Sequence, residues 1–242
     1  MSYLFSVLVL GFVVLVHEFG HFLAAKWMKI PVKIFSIGFG PKIWSYTLGG
    51  TEYRLSLFPL GGYVLPDIEE ETDFFKIPPG RRIVMSLGGP CASLILPIVC
   101  LTFIFGFSSG FSFSNILIKP ISQTFLMLGK MFSVLPMLFS KPGNLTGAVG
   151  IVAAGGDFIS RSSLNWLQFM ALISLNLTVL NLLPFPIFDG GKVVLYLLEK
   201  IHPRFLKLHY PLAIAGWIIM LGLMAFVTVI DLKRYIFGLF LS

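Results

Sequence analysis

The sequence predicts an α-helical membrane protein in which four helices cross the bilayer and one small β-sheet follows the first helix. Of its 242 residues, 56% are hydrophobic and only 12% are charged, whereas soluble domains carry about 25% charged residues. Four uncharged apolar tracts cover residues 1–16, 83–118, 162–188 and 210–230. This composition excludes an ordinary soluble domain.

The predicted spans cover about residues 3–25, 83–107, 164–183 and 210–230 of a single domain, 1–242. A helix needs about 20 residues to cross a hydrocarbon core of roughly 30 Å. The first span reaches that length only by including His17, Glu18 and His21. Polar groups at that depth are costly, so they indicate a functional site.

Basic residues are distributed unequally between the two faces that four spans define. The loops after spans one and three hold Lys26, Lys29, Lys33, Lys42, Arg54, Lys76, Arg81, Arg82, Lys192, Lys200, Arg204 and Lys207. The opposite face holds Lys119, Lys130, Lys141, Arg161, Lys233 and Arg234. Cytoplasmic loops carry the excess of Lys and Arg. The first face is therefore predicted to be cytoplasmic, with both termini outside.

Residues 115–139 are apolar enough to form a fifth span, and charge counting hardly separates the two topologies. If they crossed, Lys130 would lie near mid-membrane at an appreciable cost. An amphipathic helix in the outer interface avoids that cost. We expect the interfacial helix.

Residues 32–64 are predicted to form β-strands, since runs of β-branched and aromatic residues there are interrupted by pairs of glycines. Gly49 and Gly50 separate two such runs and predict a hairpin turn. The acidic residues 67–73 that follow are expected to form a solvated loop.

His17-Glu18-Phe19-Gly20-His21 matches the HExxH pattern. On a helix, His17 and His21 lie one turn apart on the same face and can share a metal ion. Glu18 lies about 100° further round, where it reaches a water at that metal without being a ligand. The alternative is a buried polar network between helices.

A catalytic zinc site normally has three protein ligands, so a third ligand is expected. The candidates are Asp157, Asp189, Glu199, His202, His209 and Asp231. Asp189 is favoured because it directly follows an apolar span, and because Pro184 and Pro186 prevent a regular helix just before it. If 115–139 crossed the membrane, Asp189 would lie on the face opposite His21. A zinc site at His17, His21 and Asp189 therefore requires four spans.

The segments HEFGHF, FSIGFGPKIW, FPLGGYV, GAVGI and NLLPFPIFDGG together resemble the site-2 protease family of intramembrane zinc metalloproteases. The resemblance is to its bacterial branch, which cleaves membrane-bound anti-sigma factors. It implies one zinc ion per chain, held by His17, His21 and Asp189, with Glu18 as general base.

The resemblance also implies that Asn181 and Asn176 hold the backbone of an unwound substrate. Gly38, Phe39 and Gly40 resemble part of the family's membrane-reentrant β-sheet, which pairs with substrate as an added strand.

Three positions depart from the family pattern. Residues 106–115 leave no room for the PDZ domains usually found between spans two and three, Phe188 replaces a Leu, and Ala148 replaces the Pro of a GPVG element. None of these changes removes a catalytic group.

The resemblance implies a bacterial inner-membrane protease with its active site toward the cytoplasm. Its expected partners are the lipid bilayer and single-span substrates, such as anti-sigma factors, remnant signal peptides or short membrane proteins. The net charge of +7 fits anionic lipid head groups, and nothing indicates nucleic-acid binding. A cation transporter is disfavoured because spans two and four contain no charged residue or His. A non-catalytic scaffold would have no reason to keep Glu18.

Overall fold

The computed structural model describes residues 1–68, 71–140 and 146–232. These form eight α-helices, two strands and two short helical segments. In chain order they are α1 (Ser2–Trp27), β1 (Val32–Leu48), β2 (Thr51–Pro66), α2 (Glu71–Lys76), α3 (Pro79–Ser109), a π-helix (Ser114–Ile118), α4 (Lys119–Ser140), α5 (Ala148–Ile159), α6 (Asn165–Leu182), α7 (Asp189–Ile201), a 3-10 helix (Pro203–Leu208) and α8 (His209–Asp231).

Four helices in the described part of the chain are long and apolar enough to cross a membrane, and they match the four predicted spans, the third of which extends one residue beyond its helix at each end. They are α1, α3, α6, and α8 together with the 3-10 helix before it. The 22-residue α4 occupies the segment expected to be interfacial and does not belong to this set. The sequence analysis missed α5 and α7 as helices. Its expectation of a loop at 67–73 was wrong from Glu71 onward, where α2 begins.

One buried apolar cluster lies between α1, α3 and α6, and a second lies where Phe22 of α1 packs against Phe35 of β1. Val13 of α1, Cys100 of α3 and Ala171 of α6 are among the buried residues of the first cluster. Pro97 has no N–H for the carbonyl of Ser93 one turn earlier. The hydroxyl of Ser174 in α6 donates to that carbonyl at 2.7 Å, so the interruption in α3 also joins the two helices.

Contacts at the end of the bundle opposite the histidines show how the helices alternate. The Tyr3 hydroxyl of α1 donates to Asp157 of α5 at 2.7 Å, and the Gly150 amide of α5 donates to Asp231 of α8 at 2.9 Å. Asn165, the first residue of α6, donates to the Phe158 carbonyl at 2.7 Å. The segment between α3 and α6 therefore ends at this end of the bundle, and Ile104 near the end of α3 belongs to the same apolar cluster as Leu167 near the start of α6. This arrangement is compatible with the four-span prediction.

The two long strands form an antiparallel hairpin that turns at Gly49 and Gly50, both with positive φ, as predicted. Residues 34–37 of β1 have partners on both sides, 62–65 on one and 52–55 on the other. Residues 62–66 have a partner on one side only within the described chain. They therefore form an edge of the sheet, and they lie close to α1, since a Cβ on Gly62 would lie 3.7 Å from the Leu15 side chain.

Topology is tested by labelling cysteines at the two ends of the α4 region. Ser114→Cys and Ser140→Cys, each in a background without Cys91 and Cys100, should react with an impermeant thiol reagent from the same outer side of intact cells. Lys200→Cys, on the loop side of α7, should react only after the membrane is opened. Labelling of only one of the first two positions in intact cells would contradict four spans.

Candidate metal centre and active-site cavity

The two predicted histidines and Asp189 meet at one buried point. His17 and His21 lie on α1 with their Nε2 atoms 3.2 Å apart. Oδ2 of Asp189, at the start of α7, lies 3.2 Å from the first and 3.1 Å from the second. All three residues are buried. The structure thus brings Asp189 to two histidines that lie 172 and 168 residues before it in the chain.

The triangle of ligand atoms fits zinc. Tetrahedral zinc with bonds of about 2.0–2.1 Å to nitrogen and oxygen places its ligand atoms roughly 3.3–3.4 Å apart, close to the observed 3.1–3.2 Å. Two neutral imidazoles and one carboxylate are also a ligand set found in catalytic zinc sites. No other group of His, Cys, Asp and Glu with this arrangement occurs in the described residues.

Each ligand is oriented by a further hydrogen bond. Nδ1 of His17 lies 2.9 Å from the Ser93 hydroxyl, and Nδ1 of His21 lies 2.8 Å from the Met85 carbonyl. Lys192 donates to Oδ1 of Asp189 at 3.0 Å. Such bonds fix the tautomer and the ring orientation of a metal ligand. They leave both Nε2 atoms and Oδ2 of Asp189 directed at the common point.

The charges of Asp189 and Lys192 are stabilised by one another. Burial alone raises the pKa of Asp189, but its close contacts with both histidines and the charge of Lys192 hold this pKa well below its usual range. Burial lowers the pKa of Lys192, whereas the Asp189 carboxylate raises it, and the net shift is upward. Asp189 is therefore an anion and Lys192 a cation at neutral pH, as a carboxylate ligand needs.

Close packing of glycines sets the position of α1 against α3. Gly20 and Gly88 each leave no room for a Cβ, which would overlap the carbonyl of the other. A Cβ on Gly89 would overlap the Nε2 atoms of His17 and His21. Small residues let apolar helices approach closely, and here they bring α3 directly over the histidine pair.

Asp189 is placed by the break between α6 and α7. Leu183, ahead of Pro184, has an extended backbone that ends α6. Asp189 then begins α7, and the next two glycines pack against the carbonyls of Leu182 and Phe185, where a side chain would not fit. The predicted irregular backbone before Asp189 is present and turns its carboxylate back toward α1.

A cavity of about 480 Å³ opens beside the three ligand atoms. Glu18 lines it next to His17 and His21, together with Asn181 near the end of α6. Asn181 donates to the Leu177 carbonyl at 3.1 Å. Glu18 and Asn181 therefore face the same space as the proposed ligands.

Two of the other expected substrate-binding elements lie elsewhere. Asn176 is exposed, donates to the Leu172 carbonyl and does not line the cavity. Gly38 and Gly40 have positive φ and pack against Phe58, and the Phe39 ring stacks on Tyr63 at 6.2 Å. The strand residues that line the cavity are Val64 and Pro66 of the sheet edge.

Sequence reasoning missed Ser93, Lys192 and Gly89 as parts of this site. Lys192 follows Asp189 by three residues, which is one helical turn, so the helix that begins at Asp189 would have indicated it. The contacts of Ser93 and Gly89 depend on how α3 crosses α1, and no local pattern encodes that crossing.

The model of peptidase family M50 matches residues 5–225 of this chain. The chain belongs to this family of site-2 proteases. Three relatives carry the name "Putative zinc metalloprotease". The one from Clostridium perfringens is 24% identical across 96% of this chain and 98% of its own length, and the one from Nostoc is 25% identical across 95% of each chain. The one from Borreliella burgdorferi is 36% identical over 48% of this chain and 32% of its own length.

Family membership makes the protein a metalloprotease whose relatives are named for zinc. The alignment with the Clostridium relative extends over 331 positions, more than the length of this chain, so that relative has additional segments. Here only four residues separate α3 from the π-helix, and no PDZ domain is inserted there.

Asp189→Ala tests the third ligand. Purified protein should lose most of its zinc, from about one ion to roughly a tenth of an ion per chain, because two imidazoles alone make an incomplete site. Metal content is measured after equilibration with a weak chelator. Asp157→Ala, at the opposite end of the bundle, is the matched control and should keep its zinc. Full occupancy in Asp189→Ala would reassign the ligand. Asp231 is unsuitable as a control because it bonds the start of α5.

Proposed function

We propose that this protein is an intramembrane zinc metalloendopeptidase that cleaves single-span membrane proteins or remnant signal peptides from the cytoplasmic side of a bacterial inner membrane. The observation that carries the proposal is the buried His17–His21–Asp189 triangle with Glu18 in the adjoining cavity. The triangle lies between apolar helices of membrane length. A protease with its ligands there acts on chain that lies in or enters the bilayer.

His17, His21 and Asp189 would hold the zinc, and Glu18 would move protons. Zinc, when bound, polarises a peptide carbonyl and lowers the pKa of a water from 15.7 to about 7. Glu18 accepts the proton of the attacking water and passes it to the leaving amine. The Lys192 cation keeps Asp189 ionised and oriented throughout.

Substrate must be unwound before it can be cut. A helical segment engages its carbonyls in i to i−4 bonds, and an exposed backbone group costs several kcal/mol in lipid. Asn181 lies in the cavity and would offer its amide to the unwound backbone. The edge at residues 62–66 would pair with several backbone groups at once.

The position of this edge supports substrate binding as an added strand. Residues 62–66 have no strand partner on their outer side within the described chain, and two of them line the cavity. Phe39, between Gly38 and Gly40, supports this edge, since it stacks on Tyr63 and packs near Gly61. We therefore place direct pairing at 62–66 and a supporting role at 38–40.

Glu18→Gln tests the proton transfer. Cleavage of a single-span model substrate in proteoliposomes should fall by at least about a hundredfold, because an amide cannot accept the proton. Zinc content should stay at the wild-type value, since Glu18 is not a ligand. Asp157→Asn serves as the control for general effects of removing a carboxylate. Near-normal cleavage by Glu18→Gln would exclude this role.

A proline scan of the substrate tests strand pairing. Proline cannot donate to a ladder, so proline at alternate positions near the cut site should reduce cleavage by about tenfold or more, while alanine at the same positions should not. Product formation is measured by mass spectrometry. Tolerance of proline at six consecutive positions around the cut would exclude an added strand.

A further inference from the structure

Arg82, near the start of α3, is fully buried although it carries a permanent charge. One of its terminal nitrogens donates to Oε1 of Glu199 in α7, which is itself nearly buried. Its Nε donates to the Ile77 carbonyl at 2.9 Å. Arg82 therefore joins α3, α7 and the segment that follows α2.

Three aromatic rings surround the guanidinium. Its central carbon lies 4.6 Å from the ring centre of Tyr196, 5.2 Å from that of Phe75 and 5.8 Å from that of Phe74. These distances suit cation–π contacts. Phe74 and Tyr196 also line the active-site cavity, so the rings held by Arg82 form part of its wall.

The same cluster reaches α8. His209, its first residue, stacks on Tyr196 at 5.3 Å, and its Nε2 lies 3.6 Å from Oε2 of Glu199. A second cavity of about 540 Å³ lies on this side, between α2 and α8, and shares Phe74, Tyr196 and Lys192 with the first. The cluster around Arg82 thus lies behind the wall that separates the two cavities.

The start of α3 contacts both helices that supply the proposed metal ligands, α1 and α7. Met85, one turn after Arg82, accepts the bond from His21 of α1. Arg82 itself holds Glu199, close to the far end of the helix that begins with Asp189. Helix α7 is thus fixed near its first turn by the packing of Gly190 and Gly191, and near its last turn by the ion pair. A rotation or shift of α7 about its axis would move the Asp189 carboxylate relative to the histidines.

Stability alone does not account for this pair. A buried ion pair loses several kcal/mol of solvation per ion, and apolar residues of similar volume often replace such pairs with equal or greater stability. Apolar packing alone would let α7 slide along its neighbours. A directional bond between Arg82 and Glu199 fixes α7 in one register.

We propose that Arg82 and Glu199 are positioning residues for the proteolytic reaction, which lock α7 in the register that holds Asp189 at the zinc site and keep Phe74 and Tyr196 in place as the cavity wall. This inference rests on the proposed protease function for its activity readout only. Its metal readout does not depend on a substrate.

The test is the double variant Arg82→Met/Glu199→Met, compared with each single variant. Thermal unfolding in detergent should occur at or above the wild-type temperature for the double variant, and below it for Arg82→Met, which leaves a buried carboxylate unpaired. Zinc should nevertheless leave the double variant at least about tenfold faster on addition of a chelator. The cleavage rate at saturating substrate should fall by about tenfold or more.

Arg82→Lys supplies a second measurement, because lysine keeps the charge but lacks the planar fork that contacts Glu199 and the rings. It should release zinc at a rate between those of the wild type and the double variant. Asp157→Ala is the matched control: it removes the acceptor of the interhelical hydrogen bond from Tyr3 at the opposite end of the bundle and should leave zinc release unchanged.

The outcomes separate the two proposals. A stable double variant with wild-type zinc release and wild-type cleavage would overturn the positioning role and leave a purely structural pair. Fast zinc release with a retained unfolding temperature supports it even if the wild type cleaves no substrate, in which case only the proposed function fails.

Discussion

Two imidazoles and a carboxylate meet at one buried point between apolar helices, and the surrounding structure offsets the free-energy cost of burying these polar groups. Each group would be unfavourable alone in that environment. Together they fit one cation, and every remaining polar atom on them has a partner: a hydroxyl for His17, a carbonyl for His21 and an ammonium for Asp189. The partners come from α3 and α7, so the ligands cannot be positioned without the whole helical arrangement.

Helix α3 has two functions in this arrangement. Its middle packs through glycines so tightly against α1 that Gly89 touches the histidine pair. Its prolines interrupt the regular hydrogen bonding, and the Ser93 carbonyl that Pro97 leaves without a partner is bonded by Ser174 of α6. Close approach and satisfied backbone groups are both needed where no water can compensate. The same helix then supplies Ser93 and Met85 to orient the two imidazoles.

The metal centre was predictable to the extent that it is encoded locally. HExxH fixes His17, Glu18 and His21 through helical periodicity alone, and Pro184 and Pro186 mark the break that frees Asp189. The alternation of spans argued against a crossing by residues 115–139, and the contacts of Tyr3, Asn165 and Asp231 at one end of the bundle are compatible with that prediction. The resemblance to site-2 proteases led to the same residues, and the family match supports it.

What the sequence could not reveal depends on tertiary register. Residues 38–40 carry the glycine pattern, yet Val64 and Pro66 line the cavity, because residues 62–65 pair with the outer side of residues 34–37 and form the edge of the sheet. Strand propensity does not distinguish residues 38–40 from residues 62–66. Which of the two becomes the edge depends on how the hairpin folds over itself and against α1. Arg82 likewise belongs to a run of loop cations in the sequence, where an unpaired surface charge is the ordinary expectation.

Apolar packing and directional polar bonds have different physical roles in the bundle. Between α1, α3 and α6, Val13, Cys100 and Ala171 belong to an apolar core held by complementary packing. Around the metal centre, directional bonds and charges add to the apolar packing and fix the positions of α1, α3 and α7. A metal centre can therefore be held rigidly beside a cavity while residues 62–66 have no strand partner on their outer side within the described chain. Rigidity of the ligands and access for an unwound chain are compatible because different elements provide them: α1, α3 and α7 the former, and residues 62–66 the latter.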